Sequence, residues 1–123
     1  MEIHLNDSSM SGTEIISING RLDALSSSAL EEKINPLTEN DSTSSLIFDL
    51  AGLEYISSAG LRVLLKTAKN CKNTSKKMFL CGLSKTVSDV FKISGFDLIL
   101  DIKPDLNSVK EALGNWKVDR IVR

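Results

Sequence analysis

Hydrophobic residues follow two different periods along this chain, and the alternation of those periods predicts an α/β fold. Short apolar or alternating runs, typical of β-strands, occur at residues 2–6, 13–19, 46–50, 77–81 and 98–102. Apolar residues recur at intervals of three and four near residues 26–35, 59–71, 85–93 and 105–113, which predicts helices. The order β-β-α-β-α-β-α-β-α implies one mixed, mostly parallel sheet with crossover helices and an antiparallel hairpin at its edge.

The sequence leaves open which residue caps the first helix. Ser26 as the N-cap would place Leu25 and Leu30 at the positions of a hydrophobic staple. Ser28 is the rival, because Glu31 three residues later completes a capping box. Either serine predicts a helix that begins after residue 25.

Other helix boundaries carry clearer signals. Pro36 lies inside the apolar pattern and has no backbone donor, so the first helix either ends near residue 34 or is kinked and continues to about residue 39. Ser84 is the expected N-cap of the third helix, and Gly95 suits the left-handed conformation that ends it.

The chain is organised around residues 46–65, where a buried strand gives way to a helix. Ser57 and Ser58 stand at that junction, followed by Ala59 and Gly60. N-capping alone would account for a pair of serines before a helix. The free N–H groups and positive dipole of a helix start also allow a hydroxyl there to carry an anion after modification.

Three separated segments resemble the STAS domain family of sulfate transporters and anti-sigma-factor antagonists. Residues 49–65, DLAGLEYISSAGLRVLL, are similar to the family motif D-L-(S/A)-G-(V/L)-x-(F/Y)-(I/M)-(D/S)-S-(S/A)-G-L. Residues 20–23, GRLD, resemble G-x-(L/I)-D, and residues 87–96 resemble V-x-x-(L/V)-(L/F)-x-(L/I)-(S/T)-G-(L/F). The resemblance implies a single STAS domain over residues 1–123, with a mixed sheet and about four helices mainly on one face.

The resemblance also implies a function. In anti-sigma-factor antagonists the phosphoacceptor is the serine that maps onto Ser58, and phosphorylation ends the complex with an anti-sigma factor, usually of histidine-kinase-like ATPase fold. Where those antagonists often have Asp before the acceptor, this chain has Ser57, which makes Ser57 a second candidate acceptor. Asp23 either lies beside the serine, as the resemblance implies, or binds turn amides. The expected partner-binding residues are Asp23, Ser57, Ser58, Ala59, Gly60, Leu61 and Arg62.

Several alternatives remain at this stage. A STAS subunit that docks on a transporter ATPase without phosphorylation is a second hypothesis, and nucleotide binding is a third, although the chain has no recognisable phosphate loop. Leu53, Tyr55 and Leu61 form either an apolar rim beside the serine or part of the core. The basic residues between 62 and 77 are either a solvated face or a patch for an acidic partner.

Composition narrows the classes of function. The 123 residues carry 15 Lys and Arg against 16 Asp and Glu, a near-neutral balance that argues against a nucleic-acid-binding protein. There is no apolar run of about 18 residues and no export signal, so we expect a cytoplasmic protein without membrane insertion. We expect Cys71 and Cys81 to be reduced thiols.

Catalytic chemistry is not indicated. A single histidine and two scattered cysteines predict no metal, no cofactor and no catalytic group, and the protein is expected not to be an enzyme. The sequence leaves the oligomeric state open. For residues 114–123 it also leaves open an extension of the last helix, loose packing or disorder.

Overall fold

A computed structural model describes residues 2–7 and 12–113 and contains a mixed sheet of six strands. The strands are β1 (Glu2–Asp7), β2 (Thr13–Leu22), β3 (Ser45–Asp49), β4 (Leu53–Ile56), β5 (Lys77–Cys81) and β6 (Ile102–Lys103). They follow the order β1-β2-β3-β5-β6, and β4 pairs separately with β2. Among the strands of the described residues only the β1–β2 pair is antiparallel, which confirms the predicted edge hairpin on a mostly parallel sheet.

Within residues 12–113, four helices cover this sheet, three of them on one face. They are α1 (Ala24–Glu39), α2 (Ser58–Asn73), α3 (Lys85–Ser94) and α4 (residues 106–113), and one 3₁₀ turn lies at Phe96–Leu98. The larger buried cluster joins the sheet to α1, α2 and α3, and a smaller cluster joins its other face to α4. The predicted arrangement of helices mainly on one face is therefore confirmed.

Strand β3 shows why the central apolar run reads as continuous. Leu46 and Phe48 are fully buried in the larger cluster, whereas Ile47 is fully buried in the smaller one. A strand covered on both faces needs apolar side chains at every position rather than at alternate positions. Strand β3, which precedes β4 and the two serines in the chain, is thus fixed in the centre of the sheet.

The first helix begins earlier than predicted, and neither serine proposed as its N-cap has that role. Asp23 is the N-cap: its Oδ1 accepts from the Ser26 N–H at 2.9 Å, and its own N–H donates to the Ser26 hydroxyl at 2.9 Å. This reciprocal pair is a capping box in which the serine takes the inner position. The predicted staple is also wrong, because Leu30 is fully buried but Leu25 is 85% exposed.

Pro36 does not end this helix, which continues to Glu39 and makes the shorter alternative wrong. The predicted boundaries of α3 are confirmed closely. Ser84 accepts from the Val87 N–H at 3.2 Å, and Gly95 ends the helix in the left-handed region with φ 78°.

Two strand predictions require correction near the functional segment. Strand β2 does not end at Gly20; it passes an irregularity there and reaches Leu22. This extension pairs with β4, for which the apolar pattern predicted no strand. Only the two ends of β4 are buried, so its pattern does not alternate as a half-buried strand would.

The predicted strand at residues 98–102 is also wrong. The Leu98 and Leu100 N–H groups donate to the carbonyls of Gly95 and Phe96, which holds the chain in turns. Leu98 is 88% exposed, and strand β6 begins only at Ile102. Residues 114–123, for which three alternatives were open, lie outside the described residues.

Candidate functional site

Two helix N-termini meet at the end of strand β2. The Leu22 carbonyl, at the last position of β2, accepts from the Ser57 N–H at 2.9 Å. Leu22 is followed directly by Asp23, the N-cap of α1, and Ser57 is the N-cap of α2. This single backbone hydrogen bond therefore links the residue before the N-cap of α1 to the N-cap of α2.

The two serines occupy different environments at this junction. Ser57 is half-buried, and its hydroxyl oxygen accepts from the Gly60 N–H at 3.2 Å, which satisfies one free donor of the first turn. Ser58 is the first residue of α2 and is exposed. Within the described residues, the side-chain hydrogen bond of this turn belongs to Ser57, so the capping role and the accessible hydroxyl are on separate residues.

Gly60 brings the first turn of α2 close to the sheet. A Cβ atom at this position would lie 2.9 Å from Ile56 Cγ1 and 2.9 Å from Leu22 Cγ, closer than carbon atoms pack. Gly60 is buried, and the neighbouring Leu61 is only 7% exposed. These two expected partner-binding residues therefore position the surface, whereas Ser58 and Arg62 are exposed on it.

Asp23 carries a stable negative charge next to this turn. Hydrogen bonds from the Ser26 backbone N–H, and then from the Ser26 hydroxyl, hold the pKa of the exposed Asp23 carboxyl below its ordinary value. The binding of turn amides, one of the two roles considered for this residue, is thus observed. The site combines an ionised carboxylate at one helix start with a free hydroxyl at the other.

The structure answers the question of the apolar rim and adds residues that the sequence analysis missed. Leu53 is 1% exposed and belongs to the core, as does Leu61, but Tyr55 is 38% exposed. The Arg21 guanidinium carbon lies 4.2 Å from the centre of the Tyr55 ring, a cation–π contact between paired residues of β2 and β4.

Leu25 is the other exposed apolar residue here, and it lines a groove with Arg21, Asp23 and Glu54. Its position two residues after Asp23 would have indicated exposure if Asp23 had been identified as the cap. Arg21, which lines this groove, pairs with Tyr55 across β2 and β4, and β4 is followed in the chain by the N-cap of α2.

Basic residues extend from Ser58 along the exposed side of α2. They are Arg62, Lys66, Lys69 and Lys72, and the helix contains no acidic residue. The Lys66 ammonium lies 2.5 Å from a carboxylate oxygen of Glu31 on α1.

The remaining polar groups do not build a reaction centre around the serine. His4 lies on the edge strand β1, exposed, with its Nε2 3.4 Å from Glu2. Cys71 and Cys81 are free and buried. Across residues 2–7 and 12–113 no cluster of three metal-ligating side chains occurs, and none of the described helices is both long and apolar enough to cross a bilayer.

A comparison of sequences finds that this chain is similar to a regulatory protein. BtrV of Bordetella bronchiseptica, assigned as an anti-sigma factor antagonist, is 44% identical over 72 residues. That match covers 58% of this chain and 60% of BtrV, so it spans less than two thirds of that relative.

Solved structures share the fold at low sequence identity. An anti-sigma factor antagonist from Mycobacterium paratuberculosis superposes with a TM-score of 0.80 at 22% identity, over 90% of this chain and 92% of that chain. The anti-sigma factor antagonist SpoIIAA superposes in its unphosphorylated form with a TM-score of 0.77 at 19% identity, over 92% and 97% of the two chains. SpoIIAA of Bacillus in its phosphorylated form gives a TM-score of 0.71 at 18% identity, with coverage of 90% and 99%.

A family model matches most of the chain, and the family assignment rests on this match. The STAS domain model matches residues 8–109, which include both helix starts, the serine pair and the β2–β4 strands. The three motifs that suggested this family in the sequence all fall inside that range. The chain belongs to the STAS domain family.

Proposed function

We propose that this protein is an anti-sigma-factor antagonist, a regulatory binding protein and not an enzyme. Similar proteins that carry this name support the proposal, as does the agreement of fold with structures of such antagonists. The partner is then an anti-sigma factor, whose capture frees a sigma factor.

The observation that carries the proposal is the exposed position of Ser58 at the start of α2, directly after Ser57, whose N–H donates to the Leu22 carbonyl. A phosphate there would add about −1.5 to −2 charge and three acceptor oxygens. The fold would tolerate this charge, because the N–H groups and the dipole of a helix start favour an anion. SpoIIAA has structures in both its unphosphorylated and its phosphorylated form, which is consistent with such a switch in this fold.

In a packed interface the same phosphate would be costly. It would have to lose its hydration, and it would meet any acidic group of the partner as a like charge. A penalty of about 3 kcal/mol weakens binding roughly 100-fold. Phosphorylation of Ser58 thus ends the complex without unfolding the domain.

The partner in this proposal has a histidine-kinase-like ATPase fold and phosphorylates Ser58 itself. A pull-down from the source cell with the tagged chain identifies the partner by mass spectrometry. A transporter ATPase in place of an anti-sigma factor would contradict the proposal and favour docking on a transporter.

The phosphorylation site is tested with that purified partner and ATP. The Ser58→Ala and Ser57→Ala variants are compared by mass spectrometry of the modified peptide. We expect phosphate on the wild type and on Ser57→Ala but not on Ser58→Ala. Phosphate that persists on Ser58→Ala would move the acceptor to another residue.

The switch itself is tested by binding. Ser58→Glu should weaken binding to the purified partner by tenfold or more, while the melting temperature stays within a few degrees of the wild type. Ser42→Glu is the matched control, because Ser42 is equally exposed but lies before β3, at the opposite end of that strand from the site. Equal affinities for the wild type and Ser58→Glu would refute the switch.

A further inference from the structure

The basic residues of α2 form one continuous stripe that begins at Ser58. Positions three or four apart lie on the same side of a helix that turns every 3.6 residues. The exposed residues at such intervals are Ser58, Arg62, Lys66, Lys69 and Lys72. A phosphate on Ser58 would therefore stand at the end of a row of cations.

Helix stability accounts for only two of these four cations. Lys66 pairs with Glu31 on α1, and Lys72 lies in the last turn, where the negative end of the dipole favours a cation. Arg62 and Lys69 have no ion-pair partner within residues 2–7 and 12–113.

The positions of these two residues are unfavourable within the helix. Arg62 lies near the positive end of α2, where the dipole does not stabilise a cation. Lys66 lies four residues after Arg62 and three residues before Lys69, and like charges at such spacing repel. A solvated helix face usually mixes both signs of charge, so an acidic group from outside the helix is the simplest counterpart of this stripe.

We infer that Arg62 and Lys69 bind an acidic surface of the partner that docks at Ser58, and that a phosphate on Ser58 draws Arg62 away from it. This inference rests on the proposed function, because it needs the same partner and the same modified serine. The spacing from Ser58 to Arg62 is four residues with the anion toward the N-terminus, the favourable orientation for a side-chain pair on a helix. A guanidinium can bind two phosphate oxygens at once.

Phosphorylation then acts in two ways at one place. It adds a negative charge that an acidic partner surface repels, and it neutralises a cation that this surface needs. The loss of affinity should therefore depend on Arg62. A neutral modification of equal size at Ser58 would lack both effects.

An acidic protein surface fits this stripe better than a nucleic acid does. The whole chain carries a net charge of −1, and the stripe contains only four cations, of which Lys66 is paired with Glu31. Sequence-independent phosphate binding relies on many basic contacts. Complementary charges of a few residues instead accelerate association with one protein partner.

The proposed contact between Arg62 and a phosphate on Ser58 is tested without the partner. Phosphoserine is incorporated at residue 58, and the second pKa of its phosphate is followed by ³¹P NMR. Arg62→Gln should raise that pKa by a few tenths, whereas Lys69→Gln, about two turns further along α2 than Arg62, should leave it unchanged. Identical titrations of the wild type and Arg62→Gln would overturn the proposed contact between Arg62 and the phosphate.

The acidic docking surface is tested with the purified anti-sigma factor from the pull-down. Arg62→Glu and Lys69→Glu should each slow association by about tenfold at low salt and reduce its dependence on ionic strength. Lys110→Glu is the matched control, because Lys110 is exposed on α4, which packs on the other face of the sheet.

The outcomes separate this inference from the proposed function. If Ser58→Glu weakens binding but both charge reversals on α2 associate like the wild type, the stripe has no role and the function stands. If Ser58→Glu has no effect on partner binding, the proposed switch is refuted, whatever the charge reversals on α2 show. Tight, Arg62-dependent binding of a duplex DNA or RNA probe would instead overturn the assignment to an acidic protein.

Discussion

Replacement of Gly60 by alanine should destabilise the domain, although alanine is normally the better helix former. The added Cβ would lie 2.9 Å from Ile56 Cγ1, 2.9 Å from Leu22 Cγ and 3.0 Å from Leu22 Cδ2. Carbon atoms pack at about 3.5–4.0 Å, so the first turn of α2 would have to move away from β2 and β4 by several tenths of an ångström. Overpacking of this kind costs about 1–3 kcal/mol, against a gain in helix propensity of at most about 1 kcal/mol.

We therefore expect Gly60→Ala to lower the free energy of unfolding by about 1–2 kcal/mol, measured by urea denaturation with an unchanged slope. Because Leu22 supplies two of the three close atoms, Leu22→Ala should cost less in the Gly60→Ala background than alone. The reverse substitution Ala59→Gly controls for propensity at a half-buried neighbouring position. A Gly60→Ala variant as stable as the wild type would mean that α2 does not depend on this close approach.

Three further predictions concern the caps and the thiols. Ser57→Ala should reduce the free energy of unfolding by about 1 kcal/mol in the same urea experiment, because the Gly60 N–H loses its acceptor, and unchanged stability would contradict the capping role. The pKa of Asp23 is lowered in the folded protein, so its stabilisation is complete above the ordinary pKa of aspartate and is lost as the pH falls through the lower folded value. The stability difference between the wild type and Asp23→Asn should accordingly shrink below about pH 4, and a constant difference across an acid titration would refute this. Burial raises the pKa of the Cys71 thiol, and burial with the nearby Asp49 and Asp105 carboxylates raises that of Cys81 to about 11. Both thiols should therefore react with Ellman's reagent at pH 8 only after addition of denaturant, and rapid reaction of the native protein would show that they are accessible.

The parts of the fold that the sequence predicted correctly are those with strong local signals. The continuous apolar run of β3 predicted a buried strand and the spacing of apolar residues in α2 predicted a helix, and both elements contribute buried residues to the larger cluster. Gly95 and Ser84 mark helix ends by conformational preferences that depend on few neighbours.

The missed features depend on residues far apart in sequence. Strand β4 has only two buried residues, and it exists because it pairs with the end of β2, about thirty residues earlier. The N-cap of α1 was misplaced because three serines follow Asp23 and each is a good cap by type. The geometry at the end of β2 selects Asp23, and that choice in turn exposes Leu25.

The motif predicted the serine pair as the candidate site, but the different environments of the two serines required the structure. From the sequence alone, either of two adjacent serines before a helix could be the N-cap. The hydrogen bond from Ser57 N–H to the Leu22 carbonyl fixes Ser57 at the end of the strand, so its side chain faces the first turn of α2. Ser58 is then inside the helix, with its side chain exposed.

This division leads to a last prediction, that phosphorylation of Ser58 stabilises the isolated domain. The first turn of α2 contains no acidic residue of its own, and neither does its N-cap, so an anion there would interact favourably with the helix dipole. A phosphate on Ser58 would supply one, worth about 0.3–1 kcal/mol, or roughly 1–4 °C in melting temperature. Ser57→Asp should give a similar increase on its own and make the further gain from phosphorylation smaller, since two anions in one turn repel each other. Calorimetry of the four forms would measure both terms, and a lower melting temperature for the phosphorylated wild type would contradict a switch that acts on the interface and leaves the fold intact.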